Sequence, residues 1–311
     1  MNVLPEILDF FKETTLVDSL THIQATLNQK WRYSHYIHGN VAFEAGRVAG
    51  RVEEEIRIVA TAVEIIWASI LILDDIVDRD EIRYRIPSAW KQSGHGPSTI
   101  EMVEGLLSGI QIVKHAGLQK RILQAAYDTV NAMRKITQAP LTSNLDGLIS
   151  WYKMLGALSA FSLSWPWDQP GFEEIAHLET CAGQLVNDCN DCFGKKAIRR
   201  KFPDLRNRQC TLLMGIANEF FQEKNIADSI LQAKTEESIA MIAAEIKALL
   251  KKKPTAIMGP FDDWMKKASE LAAGQVKINK KIGAWLTNRV FNNRIFWRSK
   301  LQRLIEEDSQ L

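Results

Sequence analysis

Apolar residues recur at three- and four-residue intervals over most of this chain, the period of helices that bury one face. The pattern predicts helices over residues 100–115, 119–137, 145–165, 171–194, 205–223 and 236–252, with another from about Val41 to Asp80. The nine prolines, at 5, 87, 97, 140, 166, 170, 203, 254 and 260, punctuate these segments. Ser98-Thr99-Ile100-Glu101, directly after Pro97, has the form of a capping box and predicts a helix start. No segment of useful length alternates apolar and polar residues, and no Asn-Gly or Asp-Gly hairpin lies between β-branched runs; Asp146-Gly147 sits inside a helical pattern. No repeat, low-complexity tract or linker divides the chain. The expectation is an all-α fold, a single large helical bundle of about ten helices around a central cavity, with residues 1–311 as one domain. Residues 284–307 mix Trp285, Phe291, Phe296 and Trp297 with Arg and Lys. They read as an amphipathic closing helix, or more sharply as a lid or a contact with membrane or substrate.

Charge changes the picture little. The 39 basic and 37 acidic residues leave a net charge of +2, so nucleic acid is not an expected partner. Cys181, Cys189, Cys192 and Cys210 cluster in one third of the chain. The CxxC at 189–192 has no second pair at zinc spacing and lies inside an acidic helix, so buried thiols are expected. Pro5, Glu6 and Asp9 argue against a signal peptide. Glu64 and Asp74, or Pro166 and Asp168, interrupt the apolar runs before bilayer length, so no transmembrane segment is expected. The resulting expectation is a soluble, cytoplasmic protein.

Two clusters of oxygen-bearing side chains carry the candidate chemistry. Asp74-Asp75-Ile76-Val77-Asp78 closes an apolar stretch that begins at Ile65. On a helix Asp74 and Asp78 share a face at i,i+4 with Asp75 beside them, and like charges so placed repel. A hard cation such as Mg²⁺, which takes oxygen ligands, removes the conflict. Gln184-Leu185-Val186-Asn187-Asp188-Cys189-Asn190-Asp191 repeats the arrangement, with Asn187 and Asp191 four apart. Two such helices facing each other across a cavity can hold metal ions between them, and magnesium in that setting serves to hold phosphate. The alternative is a pair of solvated acidic helix ends; the apolar sequence leading into both clusters weighs against it.

An all-α bundle with paired Asp-rich motifs resembles the trans-isoprenyl diphosphate synthase family, the class I isoprenoid synthase fold, from about residue 28 to 215. The family's first motif, DDxxD followed by an arginine pair and Pro-Ser/Thr, is similar to Asp74–Asp78 with Ile82-Arg83-Tyr84-Arg85-Ile86-Pro87-Ser88. Its second, Phe-Gln followed by DDxxD, is similar to Gln184 with Asn187–Asp191; Lys153-Met154 resembles its Lys-Thr pair, and Gln138 its Gln between helices. The resemblance implies a magnesium-dependent site for an allylic prenyl diphosphate. Asp74, Asp75, Asp78, Asn187, Asp188 and Asp191 would form its catalytic group, with Asp74, Asp78, Asn187 and Asp191 on the metal. Arg83, Lys153 and Gln184 would bind the diphosphate. A homodimer is implied as well.

The family's second site binds isopentenyl diphosphate through basic groups, and there this chain departs. The Gly-Lys-Arg segment aligns with Gln29-Lys30-Trp31, the His seven residues before the first Asp is Trp67, the second Arg of the pair is Tyr84, and a later Lys is Gln209. Each lost charge-assisted hydrogen bond is worth about 1.5–3 kcal/mol to a diphosphate. An acceptor pocket of Lys30, Trp31, Trp67 and Tyr84 suits a less anionic partner, and aromatic faces also stabilise an allylic cation. The expected function is prenyl transfer to an aromatic acceptor, such as an indole or a tryptophan side chain in a peptide. The variant second motif is similar to that of ComQ-type enzymes, which prenylate a pheromone peptide. The alternatives are a terpene cyclase, a chain-elongating synthase and a non-catalytic partner subunit. A cyclase usually has Ser/Thr and Glu metal ligands where Asp191 and Lys195 stand here. Ser69 and Ile70, one turn above Asp74, are not bulky, so geranyl, farnesyl and geranylgeranyl donors all stay open.

Overall fold

A helix with three glutamates in its first turn and an almost unbroken apolar body organises the first half of the chain. This helix, α3 (Glu53–Asp78), complements its own positive N-terminal end with Glu53, Glu54 and Glu55. It then buries nearly every side chain from Val59 to Ile72. The computed structural model describes residues 20–32, 37–167, 171–194, 202–276 and 279–306; within these, the side chains of 30–32 and 37 are excepted. The chain sorts into two compact units, Met1–Val130 with Ala157–Glu173, and Asn131–Gly156 with Glu174–Leu311.

In the first unit, α1 (Thr21–Arg32) and α2 (Ile37–Ala49) precede α3. A two-stranded hairpin follows, β1 (Ile82–Arg83) antiparallel to β2 (Ile86–Pro87), then α4 (Ala89–Ser93), α5 (His95–Gln111) and α6 (Ala116–Thr137). The short α8 (Ala157–Ser164) returns to pack on α2 and α3. The most extensive helix pairing in this unit is α3 with α5. Glycines permit it: a Cβ on Gly105 would stand 2.3 Å from Ser69 Oγ, and one on Gly109 2.6 Å from Ile66 Cγ1. Trp165 is buried against α2, its indole N–H donating to the Ala42 carbonyl at 2.8 Å.

The second unit takes α7 (Leu145–Leu155), most of α9 (Phe172–Phe193), α10 (Pro203–Arg206), α11 (Leu212–Phe220), α12 (Ile226–Gln232), α13 (Glu236–Lys252), α14 (Thr255–Val276) and α15 (Lys280–Glu306). Buried Glu179 on α9 ties α15 down, accepting from Arg289 at 3.1 Å and from Asn293 at 2.6 Å. Phe291, Ile295 and Phe296 of α15 are exposed. All four cysteines are buried free thiols.

The all-α expectation holds, with fifteen helices among the described residues rather than about ten. Part of the surplus comes from breaks, and part from α1, α4, α12 and α14, which the periodicity did not single out. Gly50, at φ +72°, ends α2 and splits the predicted Val41–Asp80 helix. The 145–165 segment divides at Gly156, and 205–223 shortens to α10 and α11. The capping box is not formed: α5 begins at His95, and the hydroxyls of Ser98 and Thr99 donate back to the carbonyls of Gly94 and His95. Glu101 turns elsewhere, accepting the backbone N–H groups of His22 at 2.6 Å and Ile23 at 2.9 Å, so it caps α1. The membrane expectation also needs correction. By length and composition α3 could cross a bilayer, because one interior glutamate does not offset so many aliphatic residues; most of that stretch is buried inside the protein, as in a core helix.

Candidate functional site

One face of α3 carries a graded stripe. Glu64, Trp67, Leu71, Asp74 and Asp78 fall within a narrow arc at 100° per residue. Glu64 is fully buried and Leu71 nearly so, while Asp74 and Asp78 are partly exposed. From Val59 to Ile72 every residue is buried except Trp67. Trp67 thus reaches accessible space from within a core segment, two turns or about 10 Å from Asp74.

One guanidinium partly offsets the first acidic motif. Arg83 meets Asp74 at 2.5 Å and Asp75 at 2.5 Å, with Asp80 at 3.9 Å. Asp75 is only 2% exposed, a position an ionised carboxylate keeps only with a partner. Burial opposes the charge on Arg83, yet Asp74 and Asp75 outweigh it and hold the guanidinium firmly protonated. The hairpin delivers Arg83 to this place. Its two-residue turn consists of Tyr84 at φ +48° and Arg85 at φ +70°, where Asn-Gly is the usual choice. Each costs about 1–2 kcal/mol relative to glycine. The turn is braced by Ser88 N–H donating to Glu81 O at 2.9 Å and by the Trp90 indole N–H donating to Asp80 O at 2.8 Å. Tyr84 is half-buried. Burial first, then the carboxylates of Glu64, Asp75 and Asp74, push its hydroxyl up to about 12 against the pull of Arg83. The phenol is therefore neutral near pH 7 and able to donate.

A pocket opens beside Asp75 and Arg83, lined by His22, Thr26, Ser88 and Gln92, with free space of about 10 Å³. That suits a single water molecule.

Of the predicted acceptor residues, Trp67 and Tyr84 share the surroundings of Glu64, one a helical turn away and the other feeling its charge. The side chains of Lys30 and Trp31 lie outside the described residues. His38 and Ser159 were not foreseen. The His38 ring sits edge-on to Trp67, centroids 4.4 Å apart, and its Nδ1 is 3.1 Å from Ser159 Oγ. The signal for Glu64 was available: a lone carboxylate in an apolar helix, on the same face as Asp74.

The second motif, on α9, is built differently. Asn187 is exposed, Gln184 is half-buried, and Asp188 and Asp191 are buried. Asp188 accepts the Leu213 N–H at 3.3 Å from the start of α11. Burial pushes its carboxyl up to about 7, with Asp191 adding to the rise and the backbone N–H groups of Leu213 and Leu212 opposing it. Lys153 lies 2.9 Å from Glu174, which also takes Lys267 at 3.1 Å. Burial opposes ionisation of Glu174, but the two lysines together hold its carboxyl below the usual range. Lys195 lies outside the described residues. The donors in both motifs are oxygens, which suits a hard cation. Among the described residues no three acidic, His or Cys side chains are grouped to hold an ion unaided.

The fold is that of the trans-isoprenyl diphosphate synthases. A solved geranylgeranyl pyrophosphate synthase superposes with a TM-score of 0.76 at 15% identity, covering 94% of this chain and 99% of that one. The heptaprenyl diphosphate synthase from Staphylococcus aureus gives 0.74 at 12% identity, with 94% and 96% covered. A polyprenyl synthase from Caulobacter crescentus CB15, complexed with calcium and isoprenyl diphosphate, gives 0.73 at 15% identity, with 94% and 93% covered. No protein-family model and no curated protein matches the chain.

Proposed function

We propose that this protein is a magnesium-dependent prenyltransferase that ionises an allylic prenyl diphosphate and passes the prenyl group to an aromatic acceptor. The observation that carries the acceptor half is the α3 stripe. Where the fold's isopentenyl diphosphate users place cationic groups, this chain presents accessible Trp67 and neutral Tyr84 beside Glu64. A second diphosphate would meet two aromatic rings there in place of paired cations. An indole, or a tryptophan side chain in a peptide, offers stacking surface and no negative charge to repel.

The donor half rests on the two acidic motifs. Asp74 and Asp78 in the first motif, and Asn187 and Asp191 in the second, would each serve as Mg²⁺ ligands, and the ion when bound would stabilise the departing diphosphate as a Lewis acid. Arg83 would exchange its carboxylate partners for phosphate oxygens, and Lys153 and Gln184 would pair further oxygens. Asp75 would position Arg83, and Asp188 would tie the second motif to the start of α11. An apolar stripe below Asp74 keeps water from the allylic cation.

The experiment combines the protein with Mg²⁺ and geranyl, farnesyl or geranylgeranyl diphosphate, alone, with isopentenyl diphosphate, or with indole and a tryptophan peptide. Diphosphate release and product masses are read. An indole or peptide adduct is expected. Chain elongation by isopentenyl diphosphate would establish the second reading, which the chain-elongating neighbours favour; a cyclised hydrocarbon made without any acceptor would establish a cyclase.

We also propose a homodimer. Ile100, Val103 and Leu107 form an exposed stripe on α5, and Leu123 and Tyr127 stand exposed on α6 of the same unit. Exposed large apolar side chains on one helix face mark a candidate association surface. Light scattering should report a dimer for the native chain and a monomer for Leu107→Glu.

A further inference from the structure

We infer that the outer side of α15 is a docking surface for an anionic lipid membrane, against which the helix lies flat without crossing it. This goes beyond the proposed function and does not depend on which acceptor is used.

The helix is one-sided in both charge and burial. From Lys280 to Ile305 it carries seven Lys and Arg residues and no acidic residue; its carboxylates come only at Glu306 and beyond. Phe291 is 57% exposed, Ile295 53% and Phe296 61%. Single exposed apolar side chains are ordinary, but three large ones within two turns mark an interaction site. At 100° per residue they fall within an arc of about 140°, whereas the buried Gly283, Leu286, Val290, Leu301 and Ile305 fall within a separate arc of about 100°. Exposed Lys281, Arg298 and Arg303 share the outer arc with the apolar trio.

The inner side of the helix is fastened to the rest of the second unit. Glu179 of α9 accepts from Arg289 at 3.1 Å and from Asn293 at 2.6 Å. One turn further on, a Cβ on Gly183 would stand 3.3 Å from the Trp297 indole, so only a small residue there leaves room for that ring. The trio is thus presented on a helix that is already ordered, and binding through it costs little further ordering.

Charge selects what covers this side. A second copy of the chain docking through the same surface would set one cationic helix against another. A negatively charged lipid surface attracts the cations, and its acyl boundary takes the phenyl rings and the isoleucine. Seven cations within 26 residues exclude a helix that spans the bilayer, so α15 lies in the plane of the interface.

The test sediments the full chain with vesicles of phosphatidylglycerol and phosphatidylcholine in equal parts, and with vesicles of phosphatidylcholine alone. The native chain should bind the mixed vesicles, and less so as salt rises. It should bind the neutral vesicles at least about tenfold more weakly. Phe291→Ser/Phe296→Ser should weaken binding to the mixed vesicles by about tenfold or more, and Lys281→Gln/Arg303→Gln by about fivefold. All four positions are exposed, so the melting temperature should not move and lost binding reports the surface itself. A native chain that stays in solution with both vesicles, or a Phe291→Ser/Phe296→Ser variant that binds as the native chain does, overturns the inference. So does a variant that leaves vesicle binding unchanged and turns a dimer into a monomer in light scattering, which would make this side a contact between copies.

Discussion

The two acidic motifs look alike in sequence and are stabilised by opposite means. At the end of α3 a cation does the work: Arg83 reaches from a strained turn to cover Asp74 and Asp75. On α9 there is no such reach among the described residues around Asp188. Its carboxyl is buried, leans on the Leu213 N–H, and is pushed towards neutrality by burial. The first arrangement keeps charge and can trade its partner for phosphate. The second buries one carboxylate, Asp188, and shifts it towards its neutral form. Aspartates in the same spacing therefore need not do the same job at rest.

The largest effect should come from the outer ligands of each motif. Asp74→Asn and Asp191→Asn should each slow diphosphate release by about 10²–10³, several kcal/mol of lost charge stabilisation at about 1.4 kcal/mol per tenfold. If only one of them is impaired, the two motifs do not share the ionisation step. Arg83→Gln should come next, this time in stability. It strands Asp75 in a buried site, and urea unfolding should show a loss of about 3 kcal/mol. A much smaller loss would mean that Asp75 is carried by something other than the guanidinium.

Asp188 gives a pH signature of the opposite kind. Its folded-state carboxyl titrates near 7 and the unfolded one near 3.9. The folded protein then binds this proton more readily than the unfolded chain. The stabilising contribution is complete below about pH 4 and is lost as pH rises through 7. Asp188→Asn should remove that fall, so the stability difference between variant and native protein should grow from pH 4 to pH 7 in matched urea titrations. A difference that shrinks over this range would place Asp188 among ordinary paired carboxylates. The smallest effect sharpens the first motif: Arg85→Gly, at φ +70°, should raise stability by about 1 kcal/mol by relaxing the turn that holds Arg83.

Much of this was legible in the chain, and the gaps have physical causes. Helical periodicity located nearly every long helix because each buries one face of its own. The acidic motifs were legible because three carboxylates at the end of an apolar run need an explanation wherever they fold. Glu101 was misread because its partners, His22 and Ile23, lie 79 and 78 residues away, and a local capping rule cannot see them. The hairpin went unseen because Tyr84-Arg85 carries none of the turn chemistry its backbone angles call for. His38 could not have been found by motif at all. Its ring meets Ser159, 121 residues away, and Trp67 on α3.

The glycines that seat α5 on α3 have a consequence in time as well as in space. Gly105 and Gly109 bring together two helices separated by only a hairpin and a single short helix. Contacts so close in sequence cost little loop entropy to close, and chains rich in them fold fast. The α3–α5 pair can thus form before the chain beyond it is complete, so the end of α3 bearing Asp74 gains a partner early in folding.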